Sequence, residues 1–249
     1  MMYERPEIAD AHKRFWQLIR HQLANVGIDS PDALSQDAEE FSVWLNPELV
    51  LSQTCGMPYR LSLHDKVNLV GTPDYGIDGC SAGYYCSPLV VRADDPRKDV
   101  REFEHSVLAF NQPISQSGYA AIYWHAKKHD FWFNHKLKTG QHLESAKAVA
   151  EGTADIASID AVTWRFIQRY EHFAGKLQVL EWTDPTPGLP LITALRHNPD
   201  GVFTALSNAF NNLYESDKML LGIKGFVKIP ANDYLAIANP PLPECVMGL

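Results

Sequence analysis

The stretch Val107-Leu108-Ala109-Phe110-Asn111-Gln112-Pro113-Ile114-Ser115-Gln116-Ser117-Gly118-Tyr119 passes from an apolar run, through a proline corner, into small hydroxyl-bearing residues. Residues 107–110 read as a buried strand and 117–128 as the helix that follows it. Such a corner offers hydroxyls and main-chain N–H groups at a helix N-terminus, where the peptide dipoles favour an anion. A plainer use exists for the same residues: Ser115 or Ser117 can cap the helix by accepting from its first N–H groups.

Outward from this corner the strand–helix alternation repeats. A helix over 143–151, a strand over 155–159, a helix over 161–170 and a strand over 177–182 give the pattern of an α/β protein. Upstream, 49–54, 67–71 and 89–92 are rich in Val and Leu and read as buried, mostly parallel strands. Before them Phe15, Trp16, Ile19, Leu23 and Val26 recur at three and four residues, which places one apolar face on a helix over 9–27, stopped by Gly27. Downstream, Pro185, Pro187, Gly188 and Pro190 break regular structure and suit a connector between lobes. A helix over 200–214 and a short strand over 226–229 complete the chain.

Composition sets the bounds. The 249 residues, 45% of them apolar, suffice for a sizeable core without disulfide staples. With 22 basic against 30 acidic side chains the net charge is −8, the wrong sign for binding a phosphate backbone, so a nucleic-acid partner is not expected. No apolar run approaches the roughly 20 residues that span a bilayer. The opening Met1-Met2-Tyr3-Glu4-Arg5-Pro6 lacks the pattern of an export signal, so the sequence as it stands reads as cytoplasmic or already processed. Cys55, Cys80, Cys86 and Cys245 form no metal-ligating spacing, and free thiols and no metal are the expectation.

Three further places carry chemistry. Lys138-Thr139-Gly140-Gln141-His142-Leu143-Glu144-Ser145 is a second corner leading into a helix, with His142 able to donate to an oxyanion or simply to sit at the helix start. Asp160 ends one strand and precedes a helix, so it caps that helix by default. Beside an anion site it would instead accept a hydrogen bond from a protonated oxyanion or pair with a ligand amine, which gives selectivity. Loops around Cys55 to Tyr59 and around Tyr84 and Tyr85 mix small residues with tyrosines, as ligand sites at strand ends do, although ordinary packing accounts for each Tyr alone. Cys55 with His64 or His142 as base would be a nucleophile, but no hydrolase signature surrounds it. No phosphate-loop lysine and no Gly-x-Gly-x-x-Gly fingerprint is present.

Leu51-Ser52-Gln53-Thr54-Cys55-Gly56-Met57-Pro58, Ser115-Gln116-Ser117-Gly118-Tyr119, Thr139-Gly140-Gln141-His142 with Ser145, and Ala154-Asp155-Ile156-Ala157-Ser158-Ile159-Asp160 together resemble one family. It is the phosphate, phosphite and phosphonate-binding component of ABC transporters, and the likeness continues through Pro185-Thr186-Pro187-Gly188-Leu189-Pro190. The resemblance implies a two-lobe α/β fold of the type II periplasmic-binding-protein kind, with a cleft between the lobes. Lobe 1 would hold 1–87 and 191–249, and lobe 2 would hold 88–190. Ser115, Ser117 and Gly118 would hold the ligand's oxyanion, and Tyr59 and Tyr85 would cover it. Thr139, His142, Asp160 and Cys55 complete the expected ligand-binding set.

The expected function is capture of a small anionic or zwitterionic ligand, phosphonate-like, for an ABC permease, by a monomer without catalysis and without a cofactor. Family members begin with an export signal and a first strand that are absent here, so either the protein is periplasmic from an earlier start or it stays inside the cell. Of the acidic residues that pair with a ligand amine in phosphonate binders, only Asp160 has a clear counterpart, with Glu144 a further candidate, which argues against an aminophosphonate. The rival readings are a cytoplasmic enzyme of cofactor biosynthesis and a ligand sensor, both on the same fold.

Overall fold

The computed structural model describes residues 3–35 and 39–243, which places Cys245 outside the described residues. The chain runs as α1 (Ala9–Asn25), α2 (Glu40–Trp44), β1 (Ser52–Gln53), α3 (Gly56–Pro58), β2 (Val67–Asp74) and β3 (Tyr84–Tyr85). It continues through β4 (Pro88–Arg92), β5 (Val107–Phe110), α4 (Ala121–Lys127), β6 (His135–Lys138), α5 (His142–Ala150), β7 (Ile156–Ser158), α6 (Ala161–Tyr170), β8 (Leu177–Trp182) and β9 (Thr186–Pro187). The last part comprises β10 (Leu191–Ala194), α7 (Pro199–Asn211), α8 (Glu215–Leu221), β11 (Gly225–Val227) and α9 (Ala231–Leu235). Among the described residues no helix is long and apolar enough to cross a membrane.

Two compact units result, one of residues 3–84 with Pro187–Ala236, the other of Tyr85–Thr186 with 237–243. The chain passes between them within β3, within β9 and again after Ala236. The sequence reading kept 237–249 with the first lobe. In the structure Trp124 Nε1 donates to Ala238 O at 2.9 Å and Tyr119 hydroxyl to Pro241 O at 3.3 Å, which ties the described part of that segment to the second unit.

In the first unit the sheet order is β1-β10-β2-β11 and every pairing is antiparallel. The strand expected over 49–54 ladders only at β1, although Ala194 N donates to Leu49 O and Thr54 N to Pro190 O on either side of it. α1 packs on α7, with Phe15 edge-on to Phe210, and Phe15, Trp16, Ile19 and Leu23 are all buried. Val26, expected on the same face, is 46% exposed because the helix ends before it, and Gly27 at φ +74° turns the chain away.

In the second unit the order is β6-β5-β7-β4-β8. β5 runs parallel to both β6 and β7, whereas β4 is antiparallel to β7 and β8. The expectation of mostly parallel strands for 49–54, 67–71 and 89–92 is therefore corrected: all three regions pair antiparallel. Their apolar runs report burial on both faces, and burial does not fix direction. Alternate residues sort onto the two faces. Leu89, Val91, Leu108 and Ile156 pack with Ile122, Ala126 and Phe133, while Val90, Ala109 and Ala157 pack with Ala146, Val149, Trp164 and Ile167. The sheet thus has α4 on one side and α5 and α6 on the other, a three-layer arrangement that explains why the inner strands β5, β7 and β4 need no polar face.

Candidate functional site

Because β5, β6 and β7 are parallel neighbours, their carboxyl ends meet at one edge of the second unit's sheet. Each leads there into a helix: β5 into the turn before α4, β6 into α5 and β7 into α6. Ligands of open α/β sheets gather at such an edge, where helix N-termini converge.

The first corner is tight. Residues Gln116–Ala120 form a wide turn, with Ala120 N donating to Ser115 O at 3.0 Å, before the regular helix begins. The helix expected over 117–128 therefore starts with an irregular turn of a kind that is frequent at functional sites. Ser115 Oγ accepts from Gly118 N at 3.0 Å and is the cap. Ser117 does something else: its Oγ lies 2.9 Å from His142 Nε2, across the gap to the second corner. Gly118 is required between them, since a Cβ there would stand 2.0 Å from Asn111 Oδ1 and 3.0 Å from His142 Cε1.

The second corner is held by its own hydroxyls. Thr139 Oγ1 lies 2.6 Å from Ser145 Oγ and 3.1 Å from both Phe110 O and Gln141 O, while Gly140 N donates to Asn111 O at 3.0 Å. His142 is partly exposed as a residue, but its Nδ1 is shut off from solvent and has no hydrogen-bond partner among the described residues. Burial of the ring lowers its pKa to about 4, against a weaker opposing effect from the Ser158 main chain. At neutral pH it is an uncharged imidazole that can donate or accept one hydrogen bond with Ser117.

Asp160 forms the third corner, 2% exposed, with Oδ1 accepting from Val162 N at 2.8 Å and Thr163 N at 3.0 Å. It therefore caps α6. Two residues earlier Ser158, fully buried, donates to Ser117 O at 2.6 Å and ties the third corner to the first. The sequence reading did not single out Ser158 or Asn111. The available signal for Ser158 was a lone hydroxyl in an otherwise apolar strand.

Of the expected binding residues, Ser115, Ser117, Gly118, Thr139, His142 and Asp160 lie along this edge. Tyr85 belongs to the same unit and is buried, at 4% exposure. Tyr59 and Cys55 belong to the first unit. Tyr59 is in its core, edge-on to Tyr234 at 5.5 Å between ring centroids, and burial raises its pKa. Cys55, also buried, heads α3. Glu144 is exposed.

Against known families, the one described as "ABC transporter, phosphonate, periplasmic substrate-binding protein" matches residues 51–234. No curated protein sequence matches the chain. Among solved structures, PhnD1 of Prochlorococcus marinus in complex with methylphosphonate is similar at 14% identity and a TM-score of 0.69, over 92% of this chain and 91% of that one. A binding-protein component of an ABC phosphonate transporter from Pseudomonas aeruginosa shares 16% identity at a TM-score of 0.69, over 92% and 80%. A Xanthomonas citri protein solved with ATP shares 17% identity at a TM-score of 0.67, over 91% and 90%. At these identities the likeness shows the fold, which is of the type II periplasmic-binding-protein kind.

Proposed function

Since the chain belongs to the family of periplasmic substrate-binding proteins of phosphonate ABC transporters, we propose that it captures a small phosphonate or related phosphorus oxyanion at the Ser117–His142 corner and delivers it unchanged to a permease. One observation carries the reading: Ser117 Oγ and His142 Nε2 stand 2.9 Å apart on the edge where three strand–helix corners converge. A tetrahedral oxyanion accepts hydrogen bonds from hydroxyls and from the N–H groups that a helix's first turn leaves without intrahelical acceptors. The Asp160 carboxylate on the same edge repels a dianion but accepts from the P–OH of a monoanion, so the site would select protonation state as well as shape.

A serine beside an imidazole is also the geometry of a nucleophile and its base. Here the imidazole has its pKa lowered to about 4, which makes it a poor base at neutral pH. That favours a binding role for the pair. Calorimetric titration with methylphosphonate, aminoethylphosphonate, phosphite, phosphate and sulfate tests the proposal. One phosphorus oxyanion should bind at one per chain, with sulfate weaker because it carries no proton to offer at neutral pH. Failure of every phosphorus oxyanion to bind would overturn it.

A further inference from the structure

A second constellation lies in the same unit, where the end of α4 meets β8. His125 and His129 are four residues apart, so they stack on one side of the last turn of α4 and the turn that follows it. Their ring centroids are 5.8 Å apart. That turn is closed by Asp130 at φ +62°, after which Phe131 N reaches back to Ala126 O, so His129 is held at the helix end rather than in a loose loop. Across from them Glu181 of β8 directs Oε2 to His125 Nε2 at 2.8 Å, while its other oxygen accepts from Val100 N at 2.8 Å.

From this arrangement we propose that His125, His129 and Glu181 bind a divalent transition ion of the zinc class. The three ligand atoms lie within 4.8 Å of one another, and a tetrahedral zinc ion needs them about 3.4 Å apart. His125 Nε2 and Glu181 Oε2 already form a hydrogen bond, which the ion would replace. His129 is exposed and free to adjust its rotamer.

Two observations favour an ion over a surface hydrogen bond. His125 is 9% exposed, so its ring is held with Nε2 facing Glu181. Glu181 is anchored by a main-chain N–H, the kind of outer contact that orients a ligating carboxylate. Two imidazoles and one carboxylate suit zinc, copper or nickel and are poor ligands for magnesium or calcium. The fourth position would be water. The ion would cross-link the end of α4 to β8, a structural or regulatory role separate from the Ser117–His142 corner.

The test is calorimetric titration of zinc into untagged wild-type protein and into the His129→Ala and Glu181→Gln variants. The wild type should take up one zinc per chain, and each variant should bind at least tenfold more weakly, with magnesium giving no site in any of them. His129 is exposed, so His129→Ala should fold normally and its circular dichroism should match the wild type. Zinc binding of equal strength in wild type and His129→Ala, no stoichiometric site in the wild type, or magnesium binding as tight as zinc would each overturn the proposal.

Discussion

Ser115 and Ser117 stand two residues apart and perform separable tasks. Ser115→Ala removes the cap on Gly118 N and should cost about 1 kcal/mol of stability, or roughly 2 to 4 °C in melting temperature, while leaving oxyanion affinity within a factor of two. His142 gives a pH signature of its own. Its folded pKa of about 4 lies below the ordinary 6.5, so as pH falls from 6.5 towards 4 the unfolded chain takes up a proton that the folded imidazole refuses. The stability due to the neutral ring is complete above pH 6.5 and is lost over that window, by up to about 3 kcal/mol. Denaturant melts of wild type and His142→Gln from pH 7.5 to 4 check this. The variant's curve should be flatter by that amount, since His12 and His197, whose pKa values are also lowered, remain in both. Equal slopes would show that His142 is not held neutral.

At the scale of elements, the second unit's sheet is the part on which the site depends. Ile156 of β7 is fully buried and its neighbour Ser158 carries the bond to Ser117 O, so Ile156→Ala should destabilise by about 2 to 5 kcal/mol. Chemical denaturation reads this directly, and a loss below 1 kcal/mol would contradict the central place given to β7. This strand was legible in the sequence because an apolar run ended at a capping Asp, and the same Asp160 marked the start of α6. β6 was not: all four of its residues are exposed, so an edge strand of His135, Lys136, Leu137 and Lys138 leaves no burial pattern to read. Strand direction was hidden for a related reason. Val and Leu on both faces report two covering layers and say nothing of whether a neighbour runs parallel. In the site, the hydroxyl-rich corners could be found from the sequence, but the 2.9 Å meeting of Ser117 with His142 joins residues 25 apart and exists only once β5 and β6 lie side by side.

For the whole molecule, the family is one of periplasmic substrate-binding proteins, and a binding protein is stabilised by what it binds. A ligand at 100 times its dissociation constant adds about 2.7 kcal/mol, which for a chain of this length is roughly 5 to 11 °C in melting temperature. Thermal melts across the oxyanion panel should therefore rank ligands before any titration, and a panel that leaves the midpoint unmoved would argue against capture of this chemistry. The most direct measurement compares wild type with Ser117→Ala by calorimetric titration of the best phosphorus oxyanion from that panel. A charge-assisted hydrogen bond is worth about 1.5 to 3 kcal/mol, so the variant should bind at least roughly tenfold more weakly while its circular dichroism stays that of the wild type. Equal affinity in the two proteins would place the oxyanion away from the Ser117–His142 corner and contradict the account.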